Sequence, residues 1–187
     1  MPTPSDKDVR GSGATVWLTG LPSSGKSTIA RAVAERLVER GHRTQILDGD
    51  EMRQRLCADL GFSKEDRQTN VLRIGFVAEL LASQAVLVLV PVIAPYAMSR
   101  ATVRGHHEAC AVPYLEVHVA APLEVCAVRD VKGLYAKQAA GLLSGLTGVD
   151  DPYEVPESPD LRLHTHELTI DGSVDAVWAL LVERGLA

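Results

Sequence analysis

Short apolar segments alternate with longer amphipathic ones from residue 14 to the end of the 187-residue chain. The segment ATVWLT (14–19) predicts a strand, and the helical spacing of apolar residues in STIARAVAERLVERG (27–41) predicts a helix. The same alternation predicts further strands at 43–47, 85–95, 114–119 and 161–165, and further helices at 51–83, 97–110 and 173–184. This order predicts an α/β fold, a doubly wound parallel sheet with helices on both faces.

Two stretches depart from the alternation. Residues 1–12 are rich in Pro, Ser, Gly and charged residues, so we expect a flexible leader, followed by one folded domain over 13–187. Residues 131–159 are rich in Gly and weakly patterned. Because a long irregular segment inside a compact domain is usually functional, we interpret residues 131–159 as a lid.

Composition narrows the class of protein. Hydrophobic residues make up 46% of the chain, enough for one substantial core, and the net charge of -5 argues against a nucleic-acid binder. No apolar run approaches the ~20 residues that span a bilayer, and residues 1–12 lack the apolar centre of a signal peptide. The three cysteines form no CxxC pair. We therefore expect a cytoplasmic protein that binds neither nucleic acid nor membrane.

The segment GLPSSGKS (20–27) fits the pattern G-x-x-x-x-G-K-S/T and lies between a predicted strand and a predicted helix. Gly20 and Gly25 allow backbone N–H groups to point at phosphate oxygens. Lys26 would neutralise the β- and γ-phosphates, and the Ser27 hydroxyl would bind the Mg²⁺ that bridges them. A chance match in a surface turn is the alternative, which the flanking elements disfavour. The motif predicts a P-loop NTPase-type fold that binds a nucleotide through Gly20, Leu21, Pro22, Ser23, Ser24, Gly25, Lys26, Ser27 and Thr28.

Two carboxylates follow the second predicted strand, at Asp48 and Asp50. The carboxyl ends of parallel strands are where ligands bind in open α/β folds. One carboxylate would help to hold Mg²⁺, while the other accepts the proton of an acceptor hydroxyl. A strand-end turn that caps a helix explains the same residues without any chemistry, and both interpretations stay open.

A group of arginines follows within the predicted helix 51–83. Guanidinium groups bind phosphate and sulfate in bidentate fashion, and an aromatic ring offers a base a stacking surface. The alternative is a solvated charged face with an ordinary core phenylalanine. The residues concerned are Arg53, Phe62, Arg67, Asn70 and Arg73.

The sequence resembles the adenylyl-sulfate kinase family from about residue 14 to the C-terminus. The resemblance rests on four segments in the family's order: GLPSSGKST, LDGDEMRQRLCADLGFSKEDRQTNVLRIG, PLEVCAVRDVKGLYAK and LTGVDDPYEVPESPDL. It implies ATP-dependent phosphorylation of adenosine 5′-phosphosulfate at its 3′-hydroxyl, which gives 3′-phosphoadenosine 5′-phosphosulfate. It also implies a homodimer, with an ATP sulfurylase as a possible partner.

The resemblance also implies residue roles. Asp50 is similar to the family's base-like aspartate and Asp48 to the one that supports the metal, while Arg129 and Thr165 would lie against the adenine of ATP. The acceptor would be bound by Arg53, Phe62, Arg67, Asn70 and the backbone of Ile93 and Ala94. Lid residues similar to the family's are Lys132, Gly133, Leu134, Tyr135 and Lys137. Of these, Lys132, Gly133 and Leu134 would contact the acceptor, as would Leu146, while packing within the lid is the alternative for Leu134 and Tyr135.

Four positions depart from the family pattern. Ala94 stands where many members have Ser, so a phosphoenzyme at this position is impossible and direct in-line transfer is expected. Leu146 replaces the lid Phe that would enclose the acceptor adenine together with Phe62, which should weaken the grip on the acceptor. Ser144 stands where a lid Lys is usual, and Phe76 where a Glu is usual.

These departures leave two alternatives beside adenylyl-sulfate kinase activity. One is a related P-loop kinase that phosphorylates a different small-molecule alcohol. The other is a nucleotide-binding partner without catalytic activity. The histidines, including His164 and His166, are interpreted as solvated or hydrogen-bonded residues without a metal role.

Overall fold

The computed structural model describes residues 13–187, so the expected leader 1–12 lies outside the described residues. The strands are β1 Ala14–Thr19, β2 Thr44–Ile46, β3 Leu87–Pro91, β4 Tyr114–Val119 and β5 Leu161–Leu163. The helices are α1 Lys26–Glu39, α2 Gly49–Arg55, α3 Lys64–Ala82, α4 Ala97–Ala109, α5 Leu123–Arg129, α6 Leu134–Ala139 and α7 Ile170–Glu183.

The five strands form one parallel sheet in the order β2-β3-β1-β4-β5. The central strands β1, β3 and β4 are buried along their whole length, which explains why β3, LVLVP, is a continuous apolar run rather than an alternating one. The chain passes from β1 to the β2–β3 side of the sheet and from β3 to the β4–β5 side, so the topological switch point lies between the carboxyl ends of β1 and β3. The predicted doubly wound parallel sheet is confirmed.

Two apolar layers enclose the sheet. One layer joins α1 and α7 to one face, with Leu37, Val177 and Leu181 fully buried. The other joins α3 to the opposite face around Trp17 and Ile74, and α4 packs against α3 there through Val103. Helices on both faces hold the strand ends in place, and the loops at the carboxyl edge carry the candidate site. No helix within 13–187 combines the length and hydropathy needed to cross a membrane.

The helical region predicted at 51–83 consists of two helices in the structure. Helix α2 ends at Arg55, and α3 begins after Ser63, whose Oγ accepts a hydrogen bond from Asp66 N at 3.1 Å. A serine followed three residues later by an acidic residue is a known helix start, so the break was visible in the sequence. The break matters because Phe62 lies in the irregular segment 56–63 between the two helices, where its side chain is exposed.

The predicted lid, residues 131–159, contains helix α6 and a stretch organised by Asp150. The Asp150 carboxylate accepts hydrogen bonds from Gly145 N at 2.8 Å and Leu146 N at 2.7 Å, and Thr147 forms a β-bridge with Asp151. These hydrogen bonds hold the pKa of Asp150 below its usual range. The segment thus has a defined shape, and its opening and closing stay a prediction.

Candidate active site

The loop between β1 and α1 has a shape that only glycine allows at two positions. A Cβ on Gly20 would lie 2.6 Å from the carbonyl oxygen of Val119, and Gly25 has φ +105 directly before the first turn of α1. The loop therefore fits tightly between β1 and β4 while its backbone turns sharply into the helix. The N-terminal N–H groups of the 14-residue α1 face the same edge, where they favour an anion.

Lys26 is folded back onto this loop. Its Nζ donates to the carbonyl oxygens of Gly20 at 2.9 Å and Leu21 at 2.6 Å, and the side chain is only 8% exposed. Burial lowers the pKa of Lys26 to about 8, while the nearby carboxylates of Asp50 and Asp48 oppose the shift. An incoming phosphate would replace the carbonyl oxygens as the partner of Nζ.

Arg129 and Thr165 lie against the same loop, although both are far from it in sequence. The carbonyl oxygen of Ser24 accepts hydrogen bonds from Thr165 Oγ1 at 2.8 Å and from Arg129 Nη1 at 3.2 Å. Arg129 also donates to the carbonyl oxygen of Thr165 at 2.7 Å. The two residues that the resemblance places beside ATP are thus fixed to each other and to the P-loop.

Asp48 is the N-cap of α2, and Asp50 lies in the first turn of that helix. Asp48 Oδ1 caps the helix by accepting from Asp50 N at 3.1 Å, and its Oδ2 lies 3.6 Å from Arg31. Asp48 therefore does cap the helix. The cap uses Oδ1, so Oδ2 is the oxygen of this carboxylate that is left for a metal ion. Asp50 forms an exposed ion pair with Lys132, which joins this carboxylate directly to the predicted lid.

Oxygen donors of the kind that Mg²⁺ prefers are present at this edge. Ser27 lies in the first turn of α1, and Asp48 and Asp50 lie at the start of α2, which follows the carboxyl end of the parallel strand β2. A hydroxyl and carboxylates without imidazole or thiolate suit Mg²⁺. The donor set therefore fits a magnesium ion bound together with phosphates.

A positively charged corner surrounds the ring of Phe62. The guanidinium carbon of Arg53 lies 4.5 Å from the ring centre and that of Arg67 lies 5.7 Å from it, while Phe62 itself is 68% exposed. Burial and the charge of Arg67 lower the pKa of Arg53. The two guanidinium groups carry like charges beside one open aromatic ring, so they favour an anion bound between or beside them.

Arg67 also connects this corner to the predicted lid. It donates from Nε to the Phe62 carbonyl at 2.8 Å, from Nη1 to Thr147 Oγ1 at 2.9 Å and from Nη2 to the Gly145 carbonyl at 2.6 Å. Asn70, one turn further along α3, has a buried Oδ1 without a hydrogen-bond partner among the described residues. Such an oxygen is suited to accept a hydrogen bond from a ligand.

The turn at Ile93 and Ala94 is held by residues that sequence reasoning missed. Ala94 has φ +44, and its carbonyl oxygen accepts from Arg100 Nη1 at 2.7 Å. Arg100 is buried, pairs with Glu116 at 2.8 Å and donates to the Glu154 carbonyl at 2.7 Å. Arg100 therefore ties the predicted acceptor turn to the end of the predicted lid. An arginine within a predicted helix carries no sequence signal for this role.

A second contact missed by sequence reasoning joins the lid to the end of β1. Thr19 Oγ1 donates to the Ile93 carbonyl at 2.6 Å, and the Tyr153 hydroxyl lies 3.0 Å from the same Oγ1. Because the Thr19 proton is used on Ile93, Tyr153 is the donor of the second bond. Burial raises the pKa of Tyr153 to about 12, so the hydroxyl keeps this proton at neutral pH.

The positions that depart from the family pattern occupy different environments. Leu146 is 5% exposed and belongs to a small apolar cluster with Cys126 and Tyr135, whose hydroxyl donates to the Pro22 carbonyl at 3.0 Å. Ser144 and Phe76 are exposed. Leu146 therefore packs the lid onto the P-loop side, and its predicted contact with an acceptor stays a prediction. The same holds for Gly133 and Leu134, which begin α6.

Comparison with known proteins agrees with this geometry. The sequence model of the adenylylsulphate kinase family matches residues 12–164. The chain belongs to the adenylyl-sulfate kinase family. A probable adenylyl-sulfate kinase of Synechocystis is 50% identical over 171 residues, which are 91% of this chain and 94% of the relative. The adenylyl-sulfate kinase of Myxococcus xanthus is 48% identical over 177 residues, 95% of each chain.

Solved structures of adenylyl-sulfate (APS) kinases share the fold. The Mycobacterium tuberculosis APS kinase in complex with AMPPNP and APS is 47% identical, with a TM-score of 0.89 over 91% of this chain and 98% of that chain. The hexameric APS kinase of Thiobacillus denitrificans is 38% identical, with a TM-score of 0.72 over 95% of this chain and 30% of that chain. The family resemblance and the kinase fold expected from the sequence are thus confirmed.

Proposed function

We propose that this adenylyl-sulfate kinase family member uses Mg²⁺-ATP to phosphorylate the 3′-hydroxyl of adenosine 5′-phosphosulfate. The observation that carries the proposal is the meeting of two different half-sites at one sheet edge. The P-loop with Lys26 suits the phosphates of ATP, and the corner of Arg53, Phe62 and Arg67 suits a base joined to an anion. Asp50, in the first turn of α2, is joined to the predicted lid by its ion pair with Lys132.

On the ATP side, the loop amides and Lys26 bind the phosphates and stabilise the charge of the transferred group. Lys26 leaves its carbonyl partners to do so, and its charge is then balanced by phosphate. Ser27 and Asp48 would hold Mg²⁺, which when bound neutralises charge on the phosphate oxygens. Arg129 and Thr165 hold the P-loop through their hydrogen bonds to the Ser24 carbonyl and border the adenine of ATP.

On the acceptor side, the 3′-oxygen attacks the γ-phosphorus in line while the bond from that phosphorus to the β-γ bridging oxygen breaks. Asp50 accepts the hydroxyl proton, and ADP leaves. Lys132 pairs with the Asp50 carboxylate and joins it to the predicted lid. Ala94 carries no nucleophile, so the transfer is direct. Arg53 and Arg67 face the phosphosulfate, and Phe62 stacks on the adenine.

Burial of Leu146 supports a second candidate, a kinase for a different small-molecule alcohol. The side chain packs against Tyr135 and Cys126 and offers no aromatic surface to an acceptor adenine. A kinase with this lid would bind ATP normally and adenylyl sulfate poorly. It is distinguished from the main proposal by its acceptor alone.

The proposal extends to the setting of the protein. We expect a homodimer, as the resemblance implies, in the cytoplasm. An ATP sulfurylase reaction would supply the adenylyl sulfate, whether or not that enzyme binds this chain. Sedimentation tests the homodimer, cell fractionation tests the cytoplasmic location, and co-purification tests whether an ATP sulfurylase binds this chain.

Initial rates of ADP release test the activity. Mg²⁺-ATP is supplied with adenylyl sulfate, with no acceptor, or with a panel of small alcohols, and Lys26→Ala serves as the inactive control. The proposal predicts rapid ADP release that depends on adenylyl sulfate and disappears in the control. Release that depends on another alcohol would establish the second candidate, and ATP binding without any release would indicate a non-catalytic nucleotide binder.

A further inference from the structure

The turn that follows β5 brings three metal-binding side chains together. The donor atoms of His164, His166 and Glu167 all lie within 4.8 Å of one another, and residues 13–187 contain no other such group of three. The sequence alone suggested only two histidines at a strand end. The structure adds a carboxylate and places all three groups on the surface.

The backbone of the turn explains why the three side chains converge. Glu167 N donates to the His164 carbonyl at 2.9 Å and Leu168 N donates to the same oxygen at 3.2 Å, so the chain folds back over residues 164–168. Thr165 is buried against the Ser24 carbonyl. With that inward side chain fixed, the histidines on either side of it remain at the surface.

Only small side-chain movements are needed for the three groups to surround one metal ion. His166 Nε2 already lies 3.2 Å from Glu167 Oε1, and the centres of the two imidazole rings are 5.9 Å apart. Two ligands of one tetrahedral zinc ion lie about 3–4 Å apart, given metal–ligand bonds of about 2.0–2.2 Å. Because the side chains are exposed, rotation about their χ angles can bring the remaining atom into this range.

The donor set selects a class of metal. Two imidazoles and one carboxylate suit Zn²⁺ and related transition ions, and this is a common set of three protein ligands with water completing the shell. Mg²⁺ prefers oxygen donors alone and is a poor competitor at such a site. The group shares no residue with Ser27 and Asp48, which would hold Mg²⁺ beside ATP.

We propose that His164, His166 and Glu167 form a surface binding site for a divalent transition-metal ion of the Zn²⁺ type. Binding clamps the turn whose inward residue, Thr165, contacts the P-loop carbonyl of Ser24. The site shares no residue with the acceptor side, so it stands even if the proposed acceptor is wrong.

Calorimetric titration of tag-free full-length protein with Zn²⁺ tests the site. The protein carries Cys110→Ser, because Cys110 is the one exposed cysteine and would bind zinc by itself. One equivalent of Zn²⁺ is expected to bind, and His166→Ala is expected to weaken binding at least about tenfold, as loss of a metal-orienting contact already does. The matched control is His106→Ala, which removes another exposed imidazole and should leave the titration unchanged.

Hydrogen exchange locates the bound ion. Zn²⁺ should slow exchange in a peptide spanning 164–168, where Glu167 N and Leu168 N are bonded to the His164 carbonyl, and His166→Ala should abolish the slowing. Absence of stoichiometric binding would overturn the proposal. Binding that His166→Ala leaves intact, or slowing confined to another segment, would overturn it equally.

Discussion

The two sides of the active site are built in different ways. The phosphate-binding loop of the ATP side is contiguous in sequence (20–28), and its central residue, Lys26, is buried and bonded within that loop. The acceptor side combines segments around Asp50, Phe62, Ala94 and Thr147, and its contacts run from one segment to another. The phosphate-binding loop is therefore fixed by local backbone shape, while the acceptor side forms only when separate segments of the chain pack correctly against one another. Substitutions on the acceptor side should therefore change the reaction with the acceptor and leave the binding of ATP nearly unchanged.

Asp50→Ala should give the largest effect. Loss of the group that accepts the hydroxyl proton is expected to lower kcat by about 10²–10⁴-fold, with ATP affinity nearly unchanged. Steady-state kinetics together with equilibrium binding of ATP measure both quantities. A kcat near that of the wild type would remove Asp50 from the base-like role.

Lys132→Ala is the matched control for Asp50→Ala, because it breaks the same ion pair from the lid side and keeps the carboxylate. It should lower kcat far less than Asp50→Ala. Equal losses in the two variants would mean that the pair itself, rather than proton acceptance by Asp50, is what the reaction requires.

Arg67→Ala should disrupt only the acceptor side. Three hydrogen bonds to Phe62, Thr147 and Gly145 are lost, and we expect kcat/KM for the acceptor to fall roughly 10- to 100-fold because hydrogen bonds to a charged group are strong. The KM for ATP should hardly change. Arg73→Ala is the control on the same helix, since Arg73 pairs with exposed Asp59. A similar loss in the control would assign the effect to helix α3 as a whole.

Phe62→Ala should raise the acceptor KM by roughly tenfold, through loss of base stacking worth about 1–3 kcal/mol. The chain has a second phenylalanine, Phe76, which is 57% exposed against 68% for Phe62. Phe76→Ala is thus a control of matched chemistry and exposure. An unchanged acceptor KM in Phe62→Ala would take the ring out of the pocket.

The smallest expected effect is on the pH dependence of ATP binding. Burial lowers the pKa of Lys26 to about 8 in the free protein, and phosphates at Nζ should raise it in the complex. The affinity is then fully present below pH 8 and is lost as the pH rises above it, by at most about tenfold up to pH 9. Lys26→Arg should show no such decline, because arginine stays charged. Titrations with ATP across this range measure the effect, and a decline that persists in Lys26→Arg would assign it to another group.

The difference between the two sides also explains what the sequence could predict. The P-loop was recognisable because its requirements fall on adjacent residues, and the parallel sheet because short strand segments alternate with helical ones along the chain. Arg100, Thr19 and Tyr153 were missed because their roles depend on contacts across 54–134 positions of sequence. His107 resembles a surface residue in the sequence, yet it is fully buried and bonded to Thr15 Oγ1 at 2.9 Å. Such pairings are set by tertiary packing and leave no local pattern.

The most direct test of the account is the structure of the product. Protein, Mg²⁺-ATP and adenylyl sulfate are incubated together, and ³¹P NMR spectroscopy identifies where the transferred phosphoryl group is found. The account predicts a new 3′-phosphomonoester on a nucleotide that keeps its phosphosulfate, together with an equal amount of ADP. ADP accompanied by inorganic phosphate, with adenylyl sulfate unchanged, would contradict it, because water rather than the bound 3′-hydroxyl would then be the acceptor.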